Sequence, residues 1–168
     1  PHIGCKHEFC KEKFNEFEEY FTTSIAVVDP VNQKYILFEA SPDLPYQLNY
    51  LEKKIFKKFI LPESVFITHA HIGHYAGLMY FGREALGSKD LKVNVLPKMA
   101  NFLQTNGPWS QLVEINNIKI QDLNFGVNVS ELKNITITPI KVPHRDEYSE
   151  TAGFIIEAKS KKALFIPD

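Results

Sequence analysis

The stretch Ser64-Val-Phe-Ile-Thr-His-Ala-His-Ile-Gly-His-Tyr-Ala-Gly-Leu78 decides the reading of this chain. Ser64–Thr68 is a β-branched and aromatic run, the signal of a buried strand. Three of the six histidines then fall within six positions, at His69, His71 and His74. Chance places such a trio in roughly 1% of shuffled sequences of this histidine content. His69 and His71 alternate on extended backbone, so both rings point to one side. His74 arrives from the turn into a following helix, expected over Tyr75–Leu86 and closed at Gly87. Neutral imidazoles converging at a strand end are what a Zn²⁺-like ion needs. The competing reading is a set of capping or core histidines.

Two more candidate ligands follow strands further on. His144 comes after the strand-like Asn134–Val142, and Asp168 after Ala163–Ile166. His69, His71, His74, His144 and Asp168 are therefore expected at one sheet edge.

Around this segment the chain reads as one domain, 1–168, of α+β class. Thr22–Val28 and Lys34–Glu39 flank Asp29-Pro30-Val31-Asn32-Gln33, whose residues favour a hairpin turn. Asp43–Phe59 repeats apolar residues at Leu44, Leu48, Leu51, Ile55 and Phe59, an amphipathic helix. Lys53, Lys54, Lys57 and Lys58 fall on its other side, as a solvated face. Lys92–Leu96 is a short strand, and Pro97 opens a helix over Lys98–Gln104. Leu112–Ile115 and Ile118–Leu123 are read as strands joined by Asn116-Asn117. Gly153–Ala158 and Ala163–Ile166 form a final hairpin. The only Trp, Trp109, sits after a Gly-Pro turn and is expected to fill the core.

Composition narrows the function classes. The chain has 168 residues, 44% hydrophobic and 23% charged, with a formal charge of -1. That balance gives no overall attraction to nucleic acid, so none is expected as partner. No apolar run is long enough for a membrane span. Two cysteines exclude a disulfide-rich scaffold. Both ends read as cut: the chain starts at Pro1 and stops just after a strand-like run. On that reading the compartment is cytoplasmic, or exported if a signal lies upstream, and the exposed sheet surface favours self-association, such as a homodimer.

Residues 65–78 resemble the signature of the metallo-β-lactamase superfamily, written H-x-H-x-D-H. The resemblance implies a four-layer αβ/βα sandwich, of which this chain covers the first half and the start of the second. It also implies a later strand-end His and a metal-bridging Asp, matched in order by His144 and Asp168. Three further segments resemble one branch, the pyrroloquinoline quinone biosynthesis protein B-like proteins. They are Pro1-His-Ile-Gly-Cys5, Leu37-Phe-Glu-Ala-Ser-Pro-Asp-Leu-Pro-Tyr-Gln47 and His144-Arg-Asp-Glu-Tyr-Ser-Glu-Thr-Ala-Gly-Phe154.

One position departs from the pattern: the motif Asp is Gly73 here, and glycine supplies no ligand. His69, His71 and His144 still make three ligands with an open position, the layout of a catalytic zinc site. One tight Zn²⁺ is expected, with a second weak or absent. Asp146 or Glu147 is a candidate replacement for the missing carboxylate. The implied activity is a hydrolase acting on a small-molecule or peptide substrate. In it His74 and Asp168 position the attacking water, Arg145 holds an anionic group, and Tyr148 is a candidate oxyanion donor. Two alternatives stand beside it. The same ligands suit Fe²⁺ in an oxidative enzyme of quinone-cofactor maturation, and Gly73 suits a non-catalytic metal or ligand binder.

Cys5-Lys-His7-Glu-Phe-Cys10 offers a second set of soft ligands. Cys5, His7 and Cys10 resemble part of a structural zinc site, with His2 a candidate fourth ligand. Free thiols or a local disulfide are the alternatives.

Overall fold

The computed structural model describes residues 4–15 and 20–168. His2 lies outside the described residues. The first described helix, α1 (Glu8–Asn15), is short and polar. Five strands then build sheet A in the order of the chain: β1 (Ile25–Asp29), β2 (Lys34–Phe38), β3 (Ser64–Phe66), β4 (Leu91–Val95) and β5 (Ile118–Asp122). The β1–β2 hairpin is antiparallel, and every later neighbour in the sheet is parallel. Parallel strands are covered on both faces, and Tyr35, Ile36, Leu37 and Phe38 of β2 are all buried.

The two faces have different partners. Tyr35, Leu37, Val65, Val93 and Val95 pack under a helical layer that includes Leu44, Leu78, Met99 and Leu103. Ile36, Phe38 and Phe66 face the antiparallel sheet B, made of β6 (Thr136–Lys141), β7 (Ala152–Glu157) and β8 (Lys162–Phe165). Phe154 of β7 closes that interface, its ring 5.3 Å from Phe38 and 5.6 Å from Phe66. Helices, sheet A and sheet B are thus three successive layers, the order expected for one half of a four-layer sandwich and the start of the next.

The layering also sets the site. Parallel β2 and β3 end at one edge of sheet A, while β6 and β8, each antiparallel to β7, end together in sheet B. The Ala152 amide donates to the Thr68 carbonyl at 3.0 Å and stitches the two edges together.

Three local expectations change. The helix from Leu44 is α-helical only to Leu51 (α2), then turns π-helical over Glu52–Phe56 and stops at Lys57 in a left-handed conformation, φ 61°. The extra residue in the π turn rotates the apolar stripe. Phe56 is buried, whereas Ile55 and Phe59 are exposed, and the four lysines face solvent as read. The expected Tyr75–Leu86 helix is instead α3 (Ile72–Tyr75) followed by a 3₁₀ segment, Ala76–Phe81. Gly77 presses its backbone on Ala40 and Ser41, where a β-carbon would lie 2.1 Å from the Ser41 carbonyl oxygen. Any side chain at position 77 would collide with that backbone.

Leu112–Ile115 is not a strand. After α4 (Pro97–Thr105), residues Trp109–Glu114 form α5. Trp109, Leu112 and Val113 share its core-facing side at helical spacing. Asn116, at φ 59°, then turns the chain into β5.

Candidate metal centre

His69 and His71 lie on the extended segment after β3, and His74 on α3. His144 follows β6 and Asp168 follows β8. One ligand atom from each of His69, His71, His144 and Asp168 lies within 4.8 Å of all the others. His69 Nε2 is 2.8 Å from His71 Nδ1, and His144 Nε2 is 3.1 Å from that same atom. Asp168 Oδ2 lies 3.5 Å from both His69 Nε2 and His144 Nε2. His74 approaches Asp168 from the other side, its Nε2 3.2 Å from Oδ2.

Outer partners orient the rings. His71 Nε2 meets Glu147 at 2.8 Å. That bond holds the Glu147 carboxyl below the ordinary range, so the group is a carboxylate and an acceptor only. His71 Nε2 therefore donates to it, and Nδ1 is the His71 nitrogen turned inward. Thr68 Oγ1 holds His69 Nδ1 at 2.8 Å. His69 is 1% exposed. Burial first, then the charge of neighbouring His74 and His71, pushes its pKa down to about 3. It is neutral at physiological pH.

A single His71 lone pair faces two imidazole nitrogens, and at most one of them can donate a proton to it. The remaining nitrogen is left with only the Asp168 carboxylate, 3.5 Å away. A cation that accepts all three resolves that conflict, and a carboxylate or backbone partner behind each ligand is the usual support of a metal-bound His. The residues fit a divalent metal.

Glu39 is fully buried at φ 70°, uncommon for a glutamate. Burial raises its pKa, against the pull of His74 and Thr68. Its Oε1 accepts from the Thr68 amide at 3.3 Å and lies 3.7 Å from His74 Nδ1. For His74, burial works to lower the pKa, but Glu39 and Asp168 outweigh it and the net shift is upward. Glu39 Oε2 and His74 Nδ1 make no hydrogen bond among the described residues. Ser149 completes the frame by accepting from the Ala70 amide at 2.9 Å.

Several expectations are resolved by position. Glu147 is not among the inward ligand atoms; it grips the outer nitrogen of His71. Asp146 accepts from Thr151 Oγ1 at 3.1 Å. Neither takes the place of the motif Asp. A side chain at Gly73 would meet nothing within 4 Å of its β-carbon. Arg145 is exposed, with its guanidinium 3.6 Å from Glu147. Cys5 and Cys10 are half-buried, and a side-chain hydrogen bond between them raises the Cys5 pKa. His7 is exposed and does not join them in a ligand group among the described residues.

The sequence reading passed over Glu39, Thr68 and Ser149. Glu39 carried a usable signal, an acid directly after the buried run Tyr35–Phe38. Thr68 and Ser149 carried none, since their roles depend on contacts across the fold.

Comparison with known proteins agrees with this architecture. The model of the beta-lactamase superfamily domain matches residues 34–168. The zinc-bound PqqB structure from Methylobacterium extorquens superposes with TM-score 0.75 at 19% identity, covering 98% of this chain and 59% of that one. The FEZ-1 metallo-β-lactamase from Legionella gormanii gives 0.61 at 18% identity, covering 88% of this chain and 57% of the enzyme. A diphosphatase of the PhnP family gives 0.65 at 20%, covering 93% and 56%. At these identities the likeness shows the fold, and the chain spans under two thirds of each of these three structures. No curated protein sequence matches the chain closely enough to count as a relative. The chain belongs to the beta-lactamase superfamily.

Proposed function

We propose that this chain carries the metal centre of a hydrolase resembling the pyrroloquinoline quinone biosynthesis protein B branch. The observation that carries the reading is the convergence of four ligand atoms, from His69, His71, His144 and Asp168, within 4.8 Å. His69 Nε2, His71 Nδ1 and His144 Nε2, with Asp168, would hold one metal. A bound Zn²⁺ makes water a nucleophile near neutral pH and polarises a carbonyl or phosphoryl oxygen. Thr68 and Glu147 keep the His69 and His71 lone pairs turned inward. His74, between Glu39 and Asp168, positions the attacking water together with Asp168. Asp168 orients that ring through its 3.2 Å contact. Arg145, exposed beside His144, pairs with an anionic group of the substrate.

The reading is mononuclear because position 73 supplies no carboxylate. We assign residues 1–168 to a single domain, with small molecules or peptides as substrates and no nucleic acid. The exposed side of sheet B, where Leu164 is open to solvent, favours association with another chain, a homodimer included. No helix among the described residues is long and apolar enough to cross a membrane.

The test is a screen of esters, thioesters, lactams and phosphodiesters before and after chelation. Hydrolysis should fall about 100-fold without metal and return with one equivalent of zinc. Activity indifferent to chelation would refute the reading. A second reading has one observation behind it: three imidazoles beside a carboxylate also suit Fe²⁺. Iron in the purified protein, with oxygen uptake on a tyrosine-containing peptide, would favour an oxidative step in quinone-cofactor maturation.

A further inference from the structure

Tyr148 is a large aromatic side chain left 67% exposed. Exposure of that size contributes little to folding, yet the backbone carrying it is held on both sides. Glu147 reaches the outer nitrogen of His71 at 2.8 Å, and Ser149 accepts from the Ala70 amide at 2.9 Å. Both neighbours of Tyr148 are thus tied to the turn bearing the candidate ligands. Its ring is not loose either: it lies 5.9 Å from Phe102 of α4, tilted by 44°. Phe102 is backed in turn by Tyr75 at 5.2 Å and Trp109 at 6.2 Å. Tyr75 follows His74 directly, so the aromatic wall and the ligand turn are continuous in the chain.

We infer that Tyr148, supported by Phe102, is a shelf beside the metal centre that selects substrates carrying a planar ring. The inference rests on the metal-dependent reading given above and adds the substrate class. A ring already fixed by its neighbours loses little freedom when a second ring stacks on it. Offset or edge-to-face pairing at 4.5–7 Å then rewards an aromatic ligand over an aliphatic one. With its ring turned onto Phe102, Tyr148 acts here as a specificity residue, and the oxyanion role expected from the sequence is not assigned to it.

Two metal-directed probes separate the outcomes: acetohydroxamate, and phenylacetohydroxamate with its added ring. Binding of each to the zinc-loaded full chain is measured by calorimetry. The ring-bearing probe should bind about tenfold more tightly. Tyr148→Ala should bring the two affinities within about twofold while leaving acetohydroxamate unchanged, and Tyr148→Phe should retain the preference. Because Tyr148 is exposed, the melting temperature should not move. A preference that survives Tyr148→Ala, or equal affinities in the unaltered protein, overturns the shelf and leaves the metal centre standing. Failure of both probes to bind overturns the metal centre and the shelf with it.

Discussion

The segments at residues 5–10 and 69–74 each place three metal-ligand residues within six positions, yet the fold treats them differently. His69, His71 and His74 sit at the end of a strand buried on both faces. Their rings are backed by Thr68, Glu147 and Glu39, residues that come from three separate parts of the chain. Cys5, His7 and Cys10 sit around the start of a short polar helix, and among the described residues they do not gather into a ligand group. Ligand spacing is common to both segments. What differs is the scaffold that aims the donor atoms, and a metal centre needs that aim as much as it needs the ligands.

Removing the foundation should separate the two regions most. Phe66 lies under the ligand turn with no exposure, against Phe38 and Phe154. Phe66→Ala should cost about 3–5 kcal/mol in denaturant unfolding. Phe9→Ala, on the exposed side of α1, should cost less than about 0.5 kcal/mol. Equal costs would mean that the N-terminal segment is built into the core after all.

Taking away the aim without the ligand is the next step. Glu147→Gln keeps all three inward nitrogens and removes the charge behind His71. Chelator competition should show metal affinity about 10–100-fold weaker. An unchanged affinity would reduce the outer hydrogen bond to a surface contact.

The sequence-to-structure comparison follows the same division. The β1–β2 hairpin, β3, α4 and the β7–β8 hairpin were legible because alternation and turn residues act within a few positions. Residues 109–114 were not, since Leu112 and Val113 look β-prone locally and only packing beside Trp109 makes them helical. The π turn at Glu52–Phe56 was equally hidden: a one-residue shift of the apolar stripe leaves no mark on 3.6-residue spacing. At the site, the histidines could be read from their spacing and strand-end context. Their supports could not, because Glu147 lies 76 residues from His71 and Ser149 lies 79 residues from Ala70.

Two smaller effects sharpen the contrast. Position 73 has open space around its β-carbon. Gly73→Asp should raise bound zinc from one equivalent toward two, read by elemental analysis; a stoichiometry fixed at one would show that more than a carboxylate is missing. The double substitution Cys5→Ser/Cys10→Ser should leave the metal content unchanged. A full equivalent lost there would move the tight site to the N-terminal segment.

The most direct measurement is metal per chain in tag-free protein purified without added metal, compared with the His69→Ala/His71→Ala variant. The account predicts about one divalent metal in the first and none in the second. Metal content that survives the double substitution would contradict it.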